Sequence, residues 1–95
     1  MVVGVLRVDL RLYGMQNLKQ KRGVVQKMLS RCRNKFPVSA AEVDHQDLWQ
    51  RCELGFSVVN TNDKIIMPIL QRIEQELSTY GDVELLNSEI EFIHF

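Results

Sequence analysis

The fold turns on residues 2–36, where the stretch VVGVLRVDLRLY (residues 2–13) gives way, across the break GMQN, to LKQKRGVVQKMLSRCRNKF (residues 18–36). In the first stretch Leu6, Val8, Leu10 and Leu12 alternate with Arg7, Asp9 and Arg11, the period of two that a strand with one buried face requires. In the second, Leu18, Val25, Met28, Leu29, Cys32 and Phe36 recur at intervals of three, four and seven, which puts them on one stripe of a helix. Asn17 stands where an N-cap belongs, with Gln20 placed as the reciprocal partner of a capping box, and Pro37 ends the helix.

The same two periods recur in the remainder of the chain. Residues 38–44 read as a second strand, His45-Gln46-Asp47 as a turn, and residues 49–60 as a third strand. In that third strand Cys52, Leu54, Phe56 and Val58 share one face, while Trp49, Arg51, Glu53 and Ser57 share the other. The short link makes strands two and three a hairpin. Residues 61–63 supply capping side chains for a second helix, whose stripe is Ile66, Ile69, Leu70, Ile73, Leu77 and Tyr80. Pro68 either lies near the first turn of a late-starting helix or bends an early-starting one. Gly81 is expected to close this helix. Residues 83–95 form a last strand, with a break expected near Asn87 and Ser88. The order β-α-β-β-α-β over residues 1–95 is that of one ferredoxin-like α+β domain: a four-stranded antiparallel sheet with strands one and three central and both helices on one face.

Composition limits the function classes. At 95 residues the chain holds one core, and 45% apolar with 25% charged residues is ordinary for a globular domain. No apolar run approaches the roughly 18 residues of a membrane span, and the opening lacks the basic segment of a signal peptide, so no membrane partner is expected. Two cysteines, Cys32 and Cys52, make neither a disulfide framework nor a zinc site. They are expected as buried thiols in a reducing cytoplasm, and no metal or cofactor is called for.

The net charge of zero hides a division. Residues 1–36 hold nine of the twelve Lys and Arg against one acid, Asp9, and residues 37–95 hold the other three cations against eleven acids. Each part thus carries a surplus of eight charges, opposite in sign, an arrangement that orients a protein in the field of a polyanion. The first helix carries the cations Lys19, Lys21, Arg22, Lys27, Arg31, Arg33 and Lys35 and no acid. Arg31, Arg33 and Lys35 suit the negative end of the helix dipole, whereas Lys19, Lys21 and Arg22 oppose the positive end at about 0.3–1 kcal/mol each when exposed. Two readings of these three compete. Either they hold a phosphate together with free backbone N–H groups, or they reach into solvent or pair with carboxylates of the acidic part.

A second candidate is the hairpin segment of residues 40–51, which crowds Asp44, His45, Asp47, Trp49 and Arg51 around one turn. Asp44, His45 and Asp47 suit metal or acid–base chemistry by type, but neighbours in an extended turn project apart and no second cluster completes a set. The structural reading has Asp44 and Asp47 capping turn N–H groups. Binding by His45, Trp49 and Arg51 lies between, since an exposed Trp beside an Arg is a typical contact pair. The open sheet face, lined by Arg7, Asp9, Arg11, Arg51 and Glu53, is charged at its inner positions, which argues against stacking bases there. Val3, Val5, Ile93 and Phe95 share its parity and form an apolar margin that suits a homodimer contact.

Three stretches, Leu18-Lys-Gln-Lys-Arg22, the run SAAEVDHQDLWQR of residues 39–51, and Val2-Val-Gly-Val-Leu-Arg7, resemble the YlxP-like family of small bacterial proteins, over essentially the whole chain. The resemblance implies a ferredoxin-like domain, a bacterial cytoplasmic location, and genes neighbouring those of transcription termination, translation initiation and ribosome maturation factors. It brings no catalytic residues to carry over. The expectation is therefore a non-enzymatic RNA- or ribosome-associated binding protein. Lys19, Lys21, Arg22, Lys27, Arg31 and Arg33 would contact phosphates, and the hairpin would supply specificity. The alternative is a homo-oligomeric protein–protein interaction module.

Overall fold

The structure, a computed structural model, describes residues Met1–Phe95. Its elements are β1 (Val2–Leu12), α1 (Leu18–Lys35), β2 (Ser39–Asp44), β3 (Arg51–Asn60), α2 (Asp63–Leu77) and β4 (Val83–His94). The four strands form one antiparallel sheet in the order β2-β3-β1-β4, the ferredoxin-like arrangement. Alternation does what the sequence pattern requires. Leu6, Val8, Leu10 and Leu12 of β1 and Cys52, Leu54, Phe56 and Val58 of β3 are buried. Against them pack Val25, Met28, Leu29 and Cys32 of α1 and Ile66, Leu70, Ile73 and Leu77 of α2. Gly4 of β1 lets α2 approach closely, because a Cβ there would meet Ile66 Cγ2 at 2.3 Å.

The caps refine the boundaries. Asn17 Oδ1 accepts from Gln20 N–H at 2.8 Å, but the Gln20 side chain reaches past Asn17 and accepts from Gln16 N–H at 2.9 Å. Gly14 takes the left-handed conformation (φ 77°) that turns the chain from β1 into α1. α2 starts early, with Asn62 as its N-cap, so Pro68 lies inside the helix. Gly81 is not its C-cap, contrary to the sequence reading. The helix stops at Leu77, and the hydroxyls of Ser78 and Thr79 donate to Gln75 and Glu76 carbonyls at 2.8 and 2.7 Å. These bonds satisfy terminal carbonyls without a left-handed residue.

β3 begins at Arg51 rather than residue 49. β4 runs unbroken, and its irregularity is a bulge at Leu86, between the pairs Asp9–Asn87 and Leu10–Leu85. A second bulge, at Val43, separates the pairs Glu42–Leu54 and Asp44–Glu53 and bends β2 into its hairpin.

Candidate nucleic-acid interface

The apolar stripe of α1 has one charged member. Lys21, three residues after Leu18 and four before Val25, falls on that stripe and is fully buried. Its Nζ donates to the carbonyl oxygens of His45 at 2.8 Å and Gln46 at 3.3 Å, and lies 2.7 Å from Glu42 Oε2. An ammonium has three donors and no acceptor, and three oxygens surround it here. Glu42 is positioned by register: opposite Leu54, it faces the helix layer instead of solvent. Lys21 is therefore corrected from a phosphate contact to the internal anchor of the β2–β3 hairpin. The signal was present in the sequence, because Lys21 fills the gap in the stripe between Leu18 and Val25.

Of the other six cations on α1, two are also engaged by a carboxylate. Lys35 Nζ is 2.9 Å and Arg31 Nη1 3.9 Å from Glu76 of α2, and the Arg31 guanidinium lies 5.7 Å from the centre of the Tyr80 ring. Arg33 donates to the Ala40 carbonyl at 2.5 Å and has no carboxylate partner. Lys19, Arg22 and Lys27 are exposed and lack any side-chain partner. The charge division is thus partly closed within the molecule, and what remains open on α1 is Lys19, Arg22, Lys27 and Arg33.

In the hairpin, His45 adopts φ 64°, a left-handed conformation that His visits more often than most side chains do. Its carbonyl accepts from Leu48 N–H at 3.1 Å as well as from Lys21. Asp44 Oδ1 accepts from His45 N–H at 2.7 Å, as a turn-capping carboxylate should, while Asp47 is exposed and without a partner. The imidazole Nδ1 is 3.9 Å from Asp44 Oδ1, and none of the surface cavities is lined by Asp44, His45 or Asp47. The turn holds Leu48 and Trp49 outward, half-exposed. Arg51 is drawn away from the turn onto the sheet, where its Nη2 donates to Asp9 Oδ2 at 2.6 Å and its Nε to Oδ1 at 3.3 Å.

The open face is ordered in rows across β3, β1 and β4: Val59–Val3–Ile93, Ser57–Val5–Glu91, Gly55–Arg7–Glu89, Glu53–Asp9–Asn87 and Arg51–Arg11–Glu84. Arg7 Nη2 lies 2.5 Å from Glu89 Oε2, and its guanidinium is held above its ordinary pKa chiefly by that hydrogen bond. Arg11 meets no carboxylate as an ion-pair partner, and instead lies 5.2 Å from the centre of the Tyr13 ring. Glu84 accepts from the Tyr13 hydroxyl at 2.8 Å and so holds its phenol above the usual range. Tyr13, absent from the sequence-derived candidates, is found by continuing the β1 parity one step beyond Arg11. Both cysteines are free and buried. Burial pushes Cys32 up to about 11 and Cys52 up to about 12, with Glu76 and Glu42 respectively adding to the shift.

Residues 3–90 match the family described as a protein of unknown function, DUF503. The chain belongs to the DUF503 family. A relative in that likeness is the uncharacterized protein YlxP of Bacillus subtilis (strain 168), 31% identical over 83 residues, covering 87% of this chain and 90% of YlxP. Among solved structures, the de novo designed protein Foldit4 superposes with a TM-score of 0.52 at 15% identity, covering 98% of each chain. That likeness speaks to the fold alone. The DUF503 match spans α1, the hairpin and β4 as far as Ile90. No helix is long and apolar enough to cross a membrane.

Proposed function

We propose that this DUF503 protein is a non-enzymatic RNA-binding protein of the bacterial cytoplasm, associated with RNA or ribosomes through the outer face of α1. The carrying observation is the unspent charge on that helix. Lys21, Arg31 and Lys35 are engaged by carboxylates, and Lys19, Arg22, Lys27 and Arg33 have none. With no acid on α1, that face attracts phosphate without competition from its own helix, and such contacts set position rather than sequence. The test is fluorescence anisotropy of a labelled single-stranded RNA across salt concentrations. Four phosphate contacts are expected to lower affinity about 50-fold between 50 and 200 mM salt, and the Lys19→Glu/Arg22→Glu/Lys27→Glu variant should bind more weakly while folding normally. A flat salt response, or unchanged binding by that variant, overturns the reading.

A second reading, a homodimer, rests on the row Val59–Val3–Ile93, beside which Met1 and Phe95 are also exposed. Burying such a margin would stabilise a dimer that persists at high salt, and sedimentation equilibrium at low and high salt decides it. A monomer under both conditions removes this reading.

A further inference from the structure

The two edges of the sheet are finished differently. Leu12 N–H donates to the Gln50 carbonyl at 2.8 Å on the β3 side, and Phe95 N–H to the Met1 carbonyl at 2.9 Å on the β4 side. These bonds fix the phase of the ladder, because backbone groups in an antiparallel sheet turn alternately toward one neighbour and the other. On β2 the carbonyls of Ala40 and Glu42 therefore point outward, away from β3. Both are capped: Arg33 Nη2 donates to Ala40 at 2.5 Å and Gln46 Nε2 to Glu42 at 3.5 Å. β2 is also only six residues long and bulged at Val43. Short length, a bulge and a covered edge keep a strand from pairing further.

Past its bulge at Leu86, β4 has no such protection. Asn87, Glu89, Glu91 and Ile93 turn their backbone groups to β1, so Ser88, Ile90, Phe92 and His94 turn theirs outward. The polar side chains of this stretch do not cap them, since Ser88 Oγ bonds to Glu74 and the Asn87 amide to Glu89. The strand holds no Lys or Pro, the residues that commonly guard an edge. Its side chains divide by face. Glu89 and Glu91 lie on the open face, where Arg7 meets Glu89 and Glu91 has no ion-pair partner. Ile90 and Phe92 are half-buried on the helix side, where Asp63, Lys64, Met67 and Phe92 line a shallow cavity of about 260 Å³. From residue 73 onward the chain has six carboxylates and no Lys or Arg.

We propose that the outer edge of β4 takes up an extended basic segment of a partner protein as a fifth strand. Its backbone bonds to Ser88, Ile90, Phe92 and His94, its Lys and Arg side chains lie beside Glu89 and Glu91, and its apolar side chains turn toward Met67 and Phe92. In strand addition of this kind main-chain bonds supply affinity and alternate side chains supply specificity. Charge selects the occupant. Two copies of β4 set antiparallel across Glu89 and Glu91 would bring like charges opposite each other, which is unfavourable, whereas a basic strand meets them as ion pairs. α1 packs beside β2, at the opposite edge of the sheet, so this inference goes beyond the RNA reading and does not depend on it.

The probe is the labelled peptide Lys-Val-Lys-Ile-Arg-Val-Lys-Ile-Lys, titrated into the full chain at low salt and followed by anisotropy and by amide hydrogen exchange read by NMR. In the protein alone, the amides of Ser88, Ile90, Phe92 and His94 should exchange fast and those of Asn87, Glu89, Glu91 and Ile93 slowly. With peptide at about ten times its Kd, the first set should slow about tenfold. Glu89→Lys/Glu91→Lys should bind the peptide about tenfold more weakly, roughly threefold for each exposed pair, and should take up instead a version with Glu at every Lys and Arg. Slow exchange of its β1-facing amides reports that the sheet is intact. N-methylation of one alternate set of peptide residues should abolish binding and of the other set should spare it, because only one set faces β4. Binding that leaves the outward amides exchanging as before, or that both methylated peptides retain, is charge attraction alone and overturns the proposal. Absence of binding overturns it too, as does equal binding of a peptide with the same residues in separate basic and apolar blocks. Slow exchange of the outward amides in peptide-free protein that quickens on dilution puts a second copy at the edge and overturns the choice of a basic partner.

Discussion

Replacing Lys21 with Met keeps most of the stem volume and removes the charge from the most enclosed ionic contact of the fold. Removing one partner of a buried ion pair costs about 3–5 kcal/mol, because the other is left unpaired. Glu42 retains 15% side-chain exposure, so water reaches its carboxylate and the loss falls toward the lower end, about 3 kcal/mol. The carbonyls of His45 and Gln46 also lose their ammonium, which adds about 1 kcal/mol after hydration at the exposed turn. The sum, about 4 kcal/mol, is a large share of the 5–15 kcal/mol that holds a domain together. Urea unfolding followed by far-ultraviolet circular dichroism should show the midpoint falling by about 2 M, for a slope near 2 kcal/mol/M that does not change. The Lys21→Met/Glu42→Leu double variant should recover most of the loss, since an apolar pair of similar volume replaces both charges. A midpoint for Lys21→Met within about 0.3 M of the parent, together with weaker RNA binding, would refute the argument and restore Lys21 as a phosphate contact.

Three further outcomes are expected. Gly4→Ala should destabilise by about 1–3 kcal/mol, because its Cβ meets Ile66 Cγ2 at 2.3 Å and α2 must shift; urea unfolding measures it, and an unchanged midpoint would show a looser β1–α2 contact. Pro68→Ala should stabilise by about 1–2 kcal/mol, the regained helix hydrogen bond outweighing the added freedom of the unfolded chain, and a lowered thermal midpoint would contradict it. The thiols give a pH dependence. Cys32 and Cys52 are raised to about 11 and about 12 when folded, so the native state keeps its thiol protons where the unfolded chain, titrating near 8.5, loses them. Their contribution is fully present below that value, and stability should fall as pH rises above it. Native protein at pH 8 should also resist a thiol reagent until urea is added, and rapid labelling of either cysteine would refute the burial.

The alternation of residues 2–13, the α1 stripe, the turn at residues 45–47 and the capped stripe from residue 61 onward, with the last strand after it, were enough to specify six elements and their order, because period and punctuation are local properties of a chain. Parity along β1 and β3 likewise made the charged open face and its apolar margin legible. Boundaries were less so: Gly81 suggested a cap, whereas hydroxyls two and three residues earlier in the chain satisfied the carbonyls first. The Asn87-Ser88 pair marked an irregularity beside the bulge at Leu86 without giving its kind, and the bulge at Val43 left no local mark, since an extra residue shows only against the strand it pairs with. The candidate site divided in the same way. That α1 is basic was plain, and the place of Lys21 on the stripe was legible, but which cations are neutralised was decided when Glu42, paired opposite Leu54, met Lys21 beneath the hairpin and Glu76 met Lys35 across the helices. Periodicity tells which way a side chain points, and only tertiary packing tells what it meets there, because partners are set by distance in space and not along the chain.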